Sequence, residues 1–169
     1  MIGSVIEVRG DDIYVVSGSK EGGRIDIGTF VRIGSTVGVV IDYLNSVRDE
    51  LLPYMSTPYR ERYVPYEREY DTFQYIVLGI GCPSQHGIEP PLMIRVGEEV
   101  VQLTDEEVIQ LHRRFGAFYI GENLHRIGRD AIMKILSKLE NLLPERNEEI
   151  KTMRKLIKSR FSSGKSGSI

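Results

Sequence analysis

Tryptophan is missing from this sequence, cysteine occurs once, as Cys82, and histidine only three times. A single cysteine excludes an internal disulfide, so any stability must come from a packed core. The shortage of Cys and His leaves little from which to build a zinc site: Cys82 and His86 are four apart, with His112 and His125 further on, whereas such sites show paired ligands at tighter spacing. No metal or other cofactor is expected. No apolar run approaches the ~18 residues of a membrane span, and no basic-then-apolar leader opens the chain, so a cytoplasmic protein without a membrane partner is expected. Neither sign of charge dominates: 22 Lys and Arg face 24 Asp and Glu, for a net charge of -2 and a pI near 6.0. The molecule as a whole is therefore not a cationic nucleic-acid binder.

What the chain does have is β-branched residues cut into short runs by glycine. The 169 residues, 41% of them hydrophobic, suffice for one ordinary core plus an appendage. Residues 1–43 read as four strands: Gly3-Ser4-Val5-Ile6-Glu7-Val8, Ile13-Tyr14-Val15-Val16, Thr29-Phe30-Val31-Arg32-Ile33 and Thr36-Val37-Gly38-Val39-Val40-Ile41. Val, Ile, Tyr and Phe suit a pleated, half-buried surface. Gly34-Ser35 fits a tight turn between the second pair, and Ser17 to Arg24 reads as a flexible exposed loop. Phe73 to Ile80 is a fifth strand. A Pro- and Gly-marked loop, Cys82 to Pro91, leads to a sixth at Leu92–Val96 and a return at Val100–Leu103. Phe118-Tyr119-Ile120-Gly121 reads as an extended piece able to close a barrel. Short strands without helices between them pair with neighbours and curl up. The fold class is β-rich α+β: a small closed β-barrel of six or seven strands over residues 1–121, followed by a C-terminal helical hairpin over 122–161.

Tyr59, Tyr63, Tyr66 and Tyr70 follow helical spacing, although Pro65 argues against one unbroken helix; the well-signed helices begin at Thr104. Thr104 stands before Asp105, Glu106 and Glu107, so it can cap the free N–H groups while Glu107 reaches back, and the acids suit the positive end of the helix dipole. That helix runs to about Phe115 and stops at Gly116. Ile132, Ile135, Leu136, Leu139, Leu142 and Leu143 form a stripe of helical period broken by Pro144. Asn147 is placed to cap a second helix with Ile150, Met153, Leu156, Ile157 and Phe161 on one face. Residues 162–169 have the composition of a disordered basic tail.

Two segments are candidate binding surfaces. Six of the nine tyrosines fall between residues 54 and 75, in an insertion that spans 44–72 and reaches the fifth strand. Tyr54, Tyr59, Tyr63, Tyr66 and Tyr70 are interleaved there with Arg60, Arg62 and Arg68. Tyr and Arg bury area at low entropic cost and keep a polar end, the usual make-up of interface anchors; they also stack on unpaired bases. Asp49, Glu50, Glu61, Glu67 and Glu69 offset the arginines, and this balance favours a protein partner over nucleic acid. Rings that merely cover the barrel are the alternative. The second segment is basic: Lys151, Arg154, Lys155, Lys158, Arg160 and Lys165 lie in residues 150–169 with no acid, leaving 16 basic against 24 acidic residues elsewhere. Such asymmetry suits an acidic surface or a phosphate backbone, or simply a solvated helix.

Chemistry is poorly signalled. Ser163-Gly164-Lys165-Ser166 has the end of a phosphate-binding loop, but Ser159 stands where the loop requires glycine, and neither the preceding strand nor the following helix is present. No Ser/His/Asp or Cys/His nucleophile spacing occurs. An enzyme would have to bring His86, His112, Glu98 or Asp105 together in a way that spacing does not reveal.

Residues 1 to about 121 resemble the N-terminal barrel of archaeal HerA-type helicase-translocases, the HAS-barrel shared with the crown domains of rotary ATP synthase subunits. The resemblance is carried by Ile2-Gly3-Ser4-Val5, Ile27-Gly28-Thr29-Phe30-Val31, Val37-Gly38-Val39-Val40 and Ile76-Val77-Leu78-Gly79. It continues through Glu89-Pro90-Pro91 to Val96-Gly97-Glu98-Glu99-Val100, with a short helix to follow where Thr104 to Arg114 stands. A HerA-type enzyme continues into a RecA-like ATPase, which has no counterpart here. The resemblance therefore implies the barrel's role, ring assembly and docking of partners such as a NurA-type nuclease, and not the motor. A non-enzymatic adaptor, in DNA repair or processing, is the leading expectation, with a protein partner or self-association. A nucleic-acid or ribonucleoprotein binder using the Tyr/Arg segment and the basic tail is the alternative.

Overall fold

The computed structural model of the chain describes residues 1–19, 22–45 and 73–163. Among these residues are seven strands: β1 Gly3–Arg9, β2 Ile13–Gly18, β3 Phe30–Ile33, β4 Thr36–Asn45, β5 Phe73–Ser84, β6 Gly87–Glu89 and β7 Glu99–Gln102. All pairings are antiparallel. The order β2-β1-β7-β3-β4-β5 returns on itself through a β2–β5 ladder, so six strands close into a barrel and β6 lies outside it, on β5. Closure demands local bending. Register shifts supply it in β1, between Val5 and Glu7, and in β4, at Val37/Gly38 and Val40/Asp42. Gly38 and Gly79 stand directly opposite each other in the β4–β5 ladder. A Cβ on Gly38 would meet the Leu78 carbonyl oxygen at 2.9 Å, and one on Gly79 would meet the Tyr14 ring at 3.0 Å. The wall is pinched there, and only glycine fits.

Side-chain alternation separates two cores. One fills the barrel: Val5, Tyr14, Val31, Val40, Tyr75, Val77 and Val100 are among its members. A six-stranded barrel has room for little besides such side chains. The other core lies outside the wall, where Phe30, Val39, Ile41, Leu78 and Ile80 meet the helices. β3, β4 and β5 are thus covered on both faces, which is why their apolar runs have hardly a break.

Five helices form that outer layer: α1 Asp105–Phe115, α2 Phe118–Glu122, α3 Leu124–Ile127, α4 Arg129–Leu142 and α5 Asn147–Ser163. Thr104 and Glu107 form the expected capping box: the Glu107 N–H donates to Thr104 Oγ1 at 3.2 Å and the Thr104 N–H to Glu107 Oε2 at 2.8 Å. The Thr104 N–H above all, then the Arg32 guanidinium and the Thr104 hydroxyl, hold the Glu107 carboxyl below the usual carboxylate range. The layer is tied to the barrel by Arg32–Glu107 at 2.9 Å, by Arg114 donating to the Ser84 carbonyl at 2.7 Å, and by a two-pronged pair between Arg126 and Asp12.

Several expectations are corrected. The sixth strand is Gly87–Glu89, not Leu92–Val96. Pro90 and Pro91 lack N–H donors and end the pairing; the chain then crosses to β7 burying only Ile94, with Leu92, Met93 and Val96 exposed. Phe118–Gly121 is helical, because the β2–β5 ladder leaves no open barrel edge for another strand. Two short helices therefore precede the hairpin. Asn147 is no cap: a 3-10 turn, Pro144–Arg146, feeds directly into α5, and Asn147 is itself helical with its Oδ1 buried and unpaired. The last helix continues through Ser163, past the start expected for the tail. Nor is Ser17–Arg24 wholly a free loop: Ser17 and Gly18 belong to β2, and the Tyr75 hydroxyl donates to the Gly23 carbonyl at 3.2 Å.

Candidate interaction surface

Three features stand out on this framework: the paired ends of β4 and β5, the outer face of α5, and a groove beside α5. The first begins with Tyr43 and Tyr75, which face each other across the β4–β5 ladder with ring centroids 5.9 Å apart. The Tyr75 hydroxyl also accepts from the Ile25 N–H at 3.2 Å, the Tyr43 hydroxyl accepts from the Ile27 N–H at 3.2 Å, and Arg24 lies over the Tyr43 ring at 5.3 Å. The two tyrosines therefore staple the segment after β2 to the barrel rim. The ladder ends with Asn45 opposite Phe73. Tyr54, Tyr59, Arg60, Arg62, Tyr63, Tyr66, Arg68 and Tyr70 fall between those two residues and lie outside the described residues. Tyr75, the last tyrosine of that series, is a barrel-core side chain.

The basic set is divided by the helix. Lys151, Lys155 and Lys158 recur at spacings of four and three, which places them on one side of α5, and all are exposed. Lys151 reaches Glu148 at 3.7 Å. Arg154 turns toward α4 instead, pairing with Glu140 at 2.9 Å and donating to Ser137 Oγ at 3.4 Å. Arg160 points to a different side and lines the groove. Lys165 lies outside the described residues.

The groove encloses about 510 Å³ between the α1–α3 corner and α5. Phe115, Phe118, Ile120 and Leu124 supply one wall, Gly116, Ala117 and Gly121 leave it open, and Met153, Leu156, Ile157 and Arg160 supply the other. The corner itself is fixed by a buried polar cluster. The Val108 carbonyl at 2.8 Å requires His112 Nδ1 to carry the proton, so Nε2 accepts from the Tyr119 hydroxyl at 2.8 Å. The Phe30 ring meets both edge-on, at 5.0 and 6.2 Å. Burial pushes His112 below the usual imidazole range, with the Arg146 guanidinium adding to the effect, while burial raises Tyr119 far above the usual phenol range. Both groups stay neutral, and both are occupied in holding α1 against α2.

The remaining chemistry-bearing residues are dispersed. Cys82 is buried, with its Sγ 3.4 Å from Thr36 Oγ1. His86 sits in the β5–β6 turn, Glu98 accepts from the Arg95 N–H at 2.9 Å ahead of β7, Asp105 opens α1, and His125 packs on Phe161. Among the described residues no group of three or more His, Cys, Asp or Glu is placed to hold a metal ion. Nor is any helix among them long and apolar enough to cross a membrane. The chain is a closed six-stranded β-barrel carrying a layer of helices. No family model matches it, and no curated protein matches it significantly.

Proposed function

We propose that this chain is a non-enzymatic assembly module of the HAS-barrel kind, an adaptor that holds a protein partner, in the setting of archaeal DNA repair or processing that the HerA-type resemblance implies. The observation that carries this reading is the pedestal at the rim. A barrel filled with side chains, braced by helices on one side, holds the two ends of the Tyr/Arg stretch in one ladder, and Tyr43 and Tyr75 lock that ladder to the neighbouring segment. Fixing the two ends of a Tyr- and Arg-rich sequence on a packed scaffold reduces the entropic cost of association. Among the described residues, Cys82, His86, Glu98, Asp105, His112 and His125 are not gathered at one place.

The test compares the untagged full chain with a Tyr59→Ala, Tyr63→Ala, Tyr66→Ala variant in retention of proteins from a native lysate. A protein held by the first and lost by the second is the expected result. Equal retention by both, or none by either, overturns the reading.

The Lys151, Lys155 and Lys158 face favours a second reading, binding to a phosphate backbone. Each neutralised phosphate contributes a slope of about -0.9 in log K against log salt on duplex DNA. Filter binding at two salt concentrations should then show a steep loss for the full chain and a shallower one for the triple Lys→Gln variant. Binding that is indifferent to both salt and substitution rules it out.

A further inference from the structure

We propose that α5 is a self-association face, through which two copies of this chain pair antiparallel across a two-fold axis. The proposal goes beyond the adaptor reading and does not depend on it, since a partner at the barrel rim and a second copy on α5 occupy different surfaces.

The starting point is the contrast between two adjacent side chains. Ile157 is 4% exposed and packs into the core; Leu156 is 62% exposed and forms the outer lip of the groove, with Phe118 on the opposite wall. Leu156 is not alone on its side of the helix. Glu149, Met153, Leu156 and Arg160 follow one another at spacings of four, three and four. At 3.6 residues per turn they fall within about 60° of each other around the axis. Glu149 and Arg160 are exposed, and neither has an ion-pair partner among the described residues. The row is thus apolar in the middle, acidic at one end and basic at the other.

Such a row complements itself in one orientation. If a second α5 runs antiparallel, the register that sets Met153 beside the partner's Leu156 also sets Glu149 against the partner's Arg160. Both pairs are centred on the same point, between Arg154 and Lys155, so one two-fold axis satisfies all of them and every contact occurs twice. A parallel arrangement would set Glu149 beside Glu149 and Arg160 beside Arg160, and like charges oppose it. The row of lysines at 151, 155 and 158 lies on the other side of α5 and does not meet its counterpart. Leu156 of each copy can enter the other's groove, where Gly116, Ala117 and Gly121 leave space above the helix corner.

The test uses charge exchange on the full chain, read by sedimentation at concentrations up to millimolar, with circular dichroism confirming that each variant is folded. The unmodified chain should dimerise reversibly, and more weakly at high salt. Glu149→Arg and Arg160→Glu should each weaken the dimer by at least about tenfold, because both copies of the ion pair become repulsive. The variant carrying both changes should recover it. Mixing the two single variants should also recover it, because each then offers what the other lacks. Leu156→Glu should abolish it. A monomer at all concentrations overturns the proposal. So does a dimer that survives the single changes, one not restored by combining or mixing them, or a groove that captures another protein while the chain alone stays monomeric. The lysate retention described above reads the rim and not α5, so either result stands without the other.

Discussion

The barrel wall and the last helix use apolar residues in opposite ways. β3, β4 and β5 hide both faces, one in the barrel and one under the helices, and leave no apolar side chain of the wall's centre to solvent. α5 hides one side through Ile150 and Ile157 and leaves Leu156 outside, flanked by charges that pair with nothing among the described residues. Where a wall is covered on both faces, its side chains contribute to stability, and only its ends remain free to present anything. An element covered on a single side keeps a surface on which binding can be built.

The comparison can be broken most sharply in the wall. Phe30, fully buried between strand and helices, should cost about 3–5 kcal/mol on replacement by Ala, measured by urea unfolding. A loss below the size of an ordinary surface change would mean that the two layers do not share a core. Ile157→Ala should cost about 2–3 kcal/mol by the same measure; a neutral result would detach α5 from the body. The corner can be probed by pH. His112 is held neutral in the fold, so its folded pKa lies below the unfolded value of about 6.5. The unfolded chain binds the extra proton. The His112 contribution is therefore complete above that unfolded value and declines as pH falls below it, by as much as ~1.4 kcal/mol per pH unit. Melts at about pH 7.5 and about pH 5.5 should show this loss, and His112→Gln should flatten it; an unchanged slope in the variant assigns the effect elsewhere. Thr104→Ala removes one half of the capping box and should cost about 1 kcal/mol, visible as a lower urea midpoint at constant slope. Leu156→Ser should change the stability of the dilute monomer by less than about 0.5 kcal/mol. A loss comparable with that of Ile157→Ala would show that Leu156 belongs to the core and would remove the contrast between the two sides of α5.

Much of this was readable from the residues, for definite reasons. The first four strands, the fifth and the capped helix announced themselves because glycine turns, β-branched runs and the Thr104–Glu107 pair act locally. The sixth strand was misplaced because Ile94 amid exposed Leu92, Met93 and Val96 imitates the apolar density of a strand, while Pro90 and Pro91 had already ended the pairing. Phe118–Gly121 was misread because closure by β2 on β5 is a long-range event that local composition does not encode. The candidate surface was half legible. Helical period put Ile150, Met153, Leu156, Ile157 and Phe161 on one stripe. Which edge of a stripe is covered depends on where its neighbours lie, so the exposure of Leu156 emerged only in three dimensions. Tyr75, the last of the six clustered tyrosines, falls in the expected fifth strand and is an inward residue of β5, because alternation along the strand aligns it with Val77.

The ladder that ends at Asn45 opposite Phe73 has a consequence for the length of chain it can carry. Directly opposed backbones are about 5 Å apart, so the barrel meets residues 46–72 as two adjoining ends. Closing a loop between fixed ends grows costlier only with the logarithm of its length, about 0.6 kcal/mol for each doubling. Chain joined to those two ends can therefore change in length at slowly growing cost while the ladder that holds them side by side keeps its register.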